Sequence, residues 1–169
     1  MNNMKVDPVK RVFWRDIARE LAKEKDVKSC RCYGDEFYSY LDQVGGLPFI
    51  LEKAAENISP GNEDECCDLI VGWQVVAEDS SNITPDLIFR SLKAGGEALL
   101  YGYYRDPRPA DILEWERLCL QEEIRVTIQV PLAGSISMSR ISGWLKEGPF
   151  DQFTIRKKGI YYQAWLRKE

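Results

Sequence analysis

The chain has no histidine among its 169 residues. That removes Ser-His-Asp and Cys-His catalysis and any imidazole-ligated metal. Acid–base chemistry would fall to Asp, Glu, Lys, Tyr or Cys. The five cysteines are the next candidates: Cys30 and Cys32 flank one residue, Cys66 and Cys67 are adjacent, and Cys119 stands apart. Four thiolates can hold a zinc ion. In a strand, however, C-x-C points both side chains to one face, whereas adjacent cysteines point to opposite faces. Convergence of all four would need a bulge or loop. Small buried core residues are the simpler reading, and no metal site is expected. Trp73, Gln74, Tyr101, Tyr103 and Tyr104 lie near the ends of apolar runs. In parallel α/β sheets the carboxyl ends of strands are where ligands bind; ordinary strand packing is the plainer account of these aromatics.

The elements that must position these residues alternate along the chain. DPVKRVFWRDIARELAKEK predicts a helix, capped by Asp7 with Pro8 in its first turn, and Val9, Phe13, Ile17 and Leu21 make one apolar stripe. VKSCRCYG (27–34) predicts a strand, and DEFYSYLDQVGG a helix with Phe37, Tyr40 and Leu41 inward. LPFILE (47–52) is a continuous apolar run of the kind buried on both faces. A polar loop with a Pro-Gly turn leads to the strand CDLIVGWQVV. NITPDLIFRSLKAGG predicts a helix capped by Thr84 and ended by Gly95, followed by the strand EALLYGYY. PADILEWERLCLQEE is helical, IRVTIQV extended with no evident place in a sheet, and SRISGWLKEG a short helix. FDQFTIRKK and IYYQAWLRK form a hairpin about Gly159. The order predicts an open α/β sheet of about six strands, mostly parallel with one antiparallel strand near its edge. A single domain is expected over 1–169, with a leading helix in 1–26 and the α/β core in 27–169.

Composition bounds the rest. The net charge is −4, acidic in the first half and mildly basic in the second, so no nucleic-acid footprint is expected. No apolar run approaches the roughly 20 residues that span a bilayer. The N-terminus lacks the apolar core of a signal peptide, so a cytoplasmic location with reduced thiols is the expectation.

Three stretches carry a resemblance to a known family. CDLIVGWQVVAED resembles the fourth strand of the class I S-adenosylmethionine-dependent methyltransferases. LIFRSLKAGGEALLYG is similar to their "LKPGG" turn into the fifth strand, with Ala94 where proline is usual. SRISGWLKEGPFDQFTIRKKGIYYQAWLRK resembles their last helix and closing hairpin, with Pro149-Phe150 opening the sixth strand. The likeness implies a Rossmann-like sheet. It also implies a glycine-rich G-x-G loop after the first strand, where the lack of Cβ lets backbone approach the cofactor. None of the twelve glycines here is separated from another by a single residue, so the loop is missing.

Two registers remain open. In the preferred one CRCYGDE is the family's second strand, its first strand is deleted, and Asp35 or Glu36 is the acid that the resemblance assigns to the ribose hydroxyls. In the other, VKSCRCYG fills the first-strand place and puts Tyr33-Gly34-Asp35-Glu36 where glycines belong. FILEKAAENI resembles the third strand leading to the acid-alanine pair near the adenine, and Lys53-Ala54 stands at that pair. A lysine cannot accept a proton from the adenine amino group. With Trp73, these residues mark a vestigial or altered cofactor site. The expectation is therefore a methyltransferase-like protein without catalysis and without a bound cofactor, acting through a protein partner or a second copy. The edge left by a deleted strand, or aromatic surface around Trp14 or Trp115, would be its contact. The alternatives are an active methyltransferase that binds S-adenosylmethionine through an altered site, and a binder of another small ligand in the vacated cleft. No residue is assigned as catalytic.

Overall fold

A computed structural model of the chain describes residues 8–54, 64–76 and 83–169. Asp7 and most of the polar loop after Lys53 lie outside these residues. Eleven elements follow in the order α1 (Pro8–Leu21), β1 (Ser29–Tyr33), α2 (Asp35–Val44), β2 (Ile50–Lys53), β3 (Cys67–Trp73), α3 (Pro85–Ser91), β4 (Leu92–Tyr103), α4 (Pro109–Gln121), α5 (Met138–Lys146), β5 (Gln152–Lys158) and β6 (Tyr161–Arg167).

The strands form one sheet in the order β2-β1-β3-β4-β6-β5. The first four run parallel, and β6 is antiparallel to both of its neighbours. This is the expected mixed α/β sheet. A single strand, β1, bridges β2 and β3, pairing Cys30 with Leu51 on one side and with Leu69 on the other. No internal edge is left open between them.

Apolar side chains alternate across the sheet into two cores. Cys30, Cys32, Leu69, Val71, Trp73, Leu99, Tyr101 and Tyr103 face α1, α2 and α4. Ile70, Ala98, Leu100, Tyr162, Ala164 and Leu166 face α3 and α5. The period of two in the strands and the four-residue stripe of α1 meet at the first of these cores. Val9, Phe13, Ile17 and Leu21 are all buried, as their spacing predicts. Thr84 caps α3 by accepting the amide hydrogen of Leu87 at 3.1 Å.

Two expectations fail. LPFILE is not a strand buried on both faces. β2 is an edge strand, and Ile50 is 69% exposed. Its apolar run packs mainly through Leu47, Phe49 and Leu51 onto the α1 side. The helix over 84–95 also stops early, at Ser91. Leu92 is fully buried and already pairs with Cys67 in the sheet, and that burial outcompetes another turn of helix. Between Cys67 and Leu69 of β3, the partner strand runs from Leu92 to Glu97, so Lys93–Gly96 bulge out of register.

The Ala-Gly-Gly sequence is required by that bulge. Gly95 has φ +81°, which penalises a side chain. A Cβ on Gly96 would lie 2.8 Å from the Lys93 carbonyl oxygen and 3.0 Å from that of Asp68. The end of β6 braces the bulge: the Gly95 amide donates to the Lys168 carbonyl at 2.7 Å, and the Lys168 amide donates to the Gly96 carbonyl at 2.9 Å. Gly96→Ala is expected to destabilise the fold by about 1–3 kcal/mol through this overpacking. Gly95→Ala should cost roughly 1–2 kcal/mol through backbone strain alone. Urea denaturation of both variants checks the order; equal stability to the parent chain would remove the bulge argument.

Candidate functional site

Parallel α/β sheets present their ligand crevice at the carboxyl ends of the strands, where neighbouring connections leave to opposite faces. Here that place lies between β1 and β3. β1 ends at Tyr33, which pairs with Gly72, and the chain turns at Gly34 directly into α2. Gly34 has φ +107° and packs against Trp73 and Phe37, 3.5–3.7 Å from where a Cβ would sit. It serves a tight strand-to-helix turn and caps α2 without a side-chain hydrogen bond.

Trp73 ends β3 and is buried. Its ring lies edge-on to Trp14 at 5.6 Å and to Tyr103 at 5.2 Å, with Phe13 and Phe37 each at 6.4 Å. Phe13 in turn touches Trp115 and Tyr161, both at 4.0 Å between ring centroids. Tilted and edge-to-face pairs of this kind add about 0.5–1.5 kcal/mol each beyond simple burial. Thus α1 drives two adjacent aromatic residues into the carboxyl end of the sheet. Trp14 and Trp115, expected as exposed contact surface, are instead buried in this cluster: Trp14 is 0% exposed and Trp115 is 6% exposed. Adjacent Phe13 and Trp14 lie about 100° apart around α1, and neighbours α2 and α4 cover both directions.

The predicted site residues divide into separate environments. Asp35 opens α2, and its carboxylate is 3.0 Å from the Lys53 ammonium at the end of β2. Both side chains are more than half exposed, so the pair contributes little stability. Glu36 turns toward α1, 4.0 Å from Lys10. Ala54 is buried in the opposite core, under the α3 and α5 side. Asp35 and Lys53 are therefore brought together, Glu36 and Ala54 are directed elsewhere, and Trp73 belongs to the aromatic cluster.

Gln74 also has a structural task. Its φ is +54° and its amide donates to the Tyr101 carbonyl at 2.7 Å. Its side-chain Nε2 donates to the Ala133 carbonyl at 3.1 Å, and the amide group lies flat against Gly134. The loop it holds then hydrogen-bonds to the end of β4, with the Ile136 amide on the Tyr103 carbonyl at 3.0 Å. Sequence alone pairs Gln74 with nothing sixty residues away, so this latch had no signal there.

The cysteines do not converge on a metal. Among the described residues no group of three or more Cys, Asp or Glu side chains is placed to hold one. Cys30 and Cys32 face one core, as strand alternation requires. Cys66 and Cys67, expected on opposite faces, both pack on the other core and both lie 3.5 Å from the Ser91 carbonyl, because the strand loses its regular register between Cys67 and Leu69. All five thiols are free; four are buried and Cys66 is partly exposed. Burial, reinforced by neighbouring Cys66, pushes the Cys67 thiol up to about 12. Burial also raises Cys30, Cys32 and Tyr101.

Among the described residues, no helix is long and apolar enough to cross a membrane. A groove of about 540 Å3 lies away from the sheet's carboxyl end, between α4 and the chain that follows it.

The sequence matches no protein-family model and no curated protein sequence. Solved structures do match over nearly the whole chain. A SAM-dependent methyltransferase from Aquifex aeolicus superposes with TM-score 0.56 at 12% identity, covering 98% of this chain and 100% of that one. PigF with SAH gives 0.54 at 13% identity over 95% of this chain and 56% of PigF. Human N-acetylserotonin methyltransferase in complex with SAM gives 0.51 at 14% identity over 95% and 54%. The chain thus spans little more than half of the last two proteins. These likenesses define the fold: a class I methyltransferase-like, Rossmann-like α/β sheet.

Two outcomes follow. Trp73→Ala should cost about 3–5 kcal/mol by opening a cavity at the centre of the cluster, whereas Lys53→Ala should change stability by less than about 1 kcal/mol; thermal and urea melts compare them. With a thiol-specific disulfide reagent at pH 8, Cys66 should react at once and the four buried thiols only on unfolding. Because Cys30, Cys32 and Cys67 titrate higher in the folded state, they favour folding fully below the ordinary thiol value near 8.5. That contribution is lost as pH rises from there toward about 12.

Proposed function

We propose that this chain is a methyltransferase-like protein with a non-catalytic role, partner-binding or regulatory, in place of methyl transfer. One observation carries the reading: the rings of Phe13, Trp14, Phe37, Trp73 and Tyr103 fill the carboxyl end of β1 and β3. A nucleoside cofactor would need open, glycine-lined backbone at that place. Gly34 is the glycine available there, and it is spent on the turn into α2.

The charged residues argue the same way. Asp35, the acid the resemblance assigns to the ribose, has one of its carboxylate oxygens paired with Lys53. The residues present do not fit S-adenosylmethionine. We accordingly expect no resident cofactor.

The competing reading is an active methyltransferase. Asp35 is the observation in its favour, since it stands exposed at the end of β1 where a ligand could displace Lys53. PigF and N-acetylserotonin methyltransferase were solved with SAH and SAM. S-adenosylmethionine would be the cofactor on that reading.

Titration calorimetry with S-adenosylmethionine and S-adenosylhomocysteine separates the two. The expected result is no saturable heat up to millimolar ligand. Micromolar binding that Asp35→Ala weakens at least tenfold would overturn the proposal and establish a cofactor site.

A further inference from the structure

The segment Ile124–Val130, IRVTIQV, has strong strand character yet belongs to no strand. It follows α4 and runs along the groove lined by Leu113, Leu120, Ile124 and Val126. Its burial alternates: Ile124 and Val126 are half-buried and Ile128 is buried, while Arg125, Thr127 and Gln129 are exposed. The Ile124 amide donates inward to the Cys119 carbonyl at 2.9 Å, and the Ile128 amide to the Glu116 carboxylate at 2.8 Å. The amides of Arg125, Thr127 and Gln129, and that of Val126 between the two anchored residues, find no partner among the described residues. A stretch of alternating burial that is anchored through Ile124 and Ile128 and leaves the amides of its exposed residues unbonded has the character of a sheet edge without its neighbour.

Apolar exposure is concentrated beside it. Leu113 is 65% exposed, Leu120 55% and Val130 45%. The β5 edge of the sheet is guarded differently: it carries Arg156, Lys157 and Lys158 in succession, a run that repels a second copy of itself. No such guard exists at 124–130, where Arg125 is the one charged residue.

We propose that this segment pairs with the same segment of a second copy, antiparallel about a two-fold axis through Thr127. The register follows from the open amides. Thr127 would face its own counterpart, and Arg125 would face Gln129. The pairs that exchange hydrogen bonds are then the ones whose amides are free, giving about six new backbone hydrogen bonds. The other pairs are Val126 with Ile128 and Ile124 with Val130, β-branched contacts that favour cross-strand packing. No like charges meet, because the positive Arg125 meets a neutral amide at every copy. The exposed Val130 of each copy would come to lie beside Ile124, at the groove that also holds Leu120. A two-fold interface must be self-complementary, and this register is. The pairing goes beyond the function proposed above and does not rest on it, since a cofactor-binding chain would present the same edge.

Sedimentation velocity and light scattering over a concentration series test it. The parent chain should pass from monomer to dimer within the micromolar range. Thr127→Pro removes the central amide, and Thr127→Lys sets like charges face to face. Thr127 is exposed and its amide unbonded, so both variants should keep the parent circular dichroism. Each should weaken dimerisation at least tenfold. A parent chain monomeric to several hundred micromolar would overturn the proposal and leave the edge to a strand of another protein. So would a dimer that both variants leave intact. If Thr127→Pro fails to fold, Thr127→Lys alone decides the matter by the same readings.

Discussion

The contact between α1 and the carboxyl end of the sheet governs this molecule. Phe13 and Trp14 are consecutive, and each reaches a different group of rings: Phe13 meets Tyr103, Trp115 and Tyr161, and Trp14 meets Phe37, Tyr40 and Trp73. Through them one helix ties together α2, β3, β4, α4 and β6. The same atoms occupy the place where this type of sheet presents a ligand crevice. Core packing and the shape of the sheet's carboxyl end therefore depend on the same rings, so changing one changes the other.

The parallel part of the sheet is continuous through one shared strand. β1 serves as neighbour to both β2 and β3, and the sheet stays continuous. β2 is only four residues long and exposes Ile50. A short edge strand is poor at recruiting further strands.

Much of this was legible in the residues. The stripe of α1, the alternation of Cys30 and Cys32, the cap at Thr84 and the closing hairpin all rest on local periodicity or local hydrogen bonding, and sequence carries such signals directly. The exposure of β2 was not legible, because an apolar run reads the same at the centre of a sheet and at its rim. The early end of α3 depended on Leu92 pairing with Cys67, a contact between distant residues. The site was half legible. The pairing of Asp35 with Lys53 follows once β1 and β2 are adjacent, but the burial of Trp14 and Trp115 depended on where α1 docks. Aromatic residues at helix spacing announce burial against something without saying what.

The aromatic cluster also joins the two ends of the described chain. Phe13 is in contact with Tyr161, and the Glu20 carboxylate accepts from the Lys158 ammonium at 2.9 Å. During synthesis α1 emerges well before β6, and the part of its apolar face at Phe13 that meets Tyr161 has no cover from that strand until β6 has emerged. For the time needed to translate roughly 140 more residues, at about 5–20 residues per second, that face is open to holding chaperones. One face of the helix thus finds its partners in α2 early, while the Phe13 side waits for the end of the described chain.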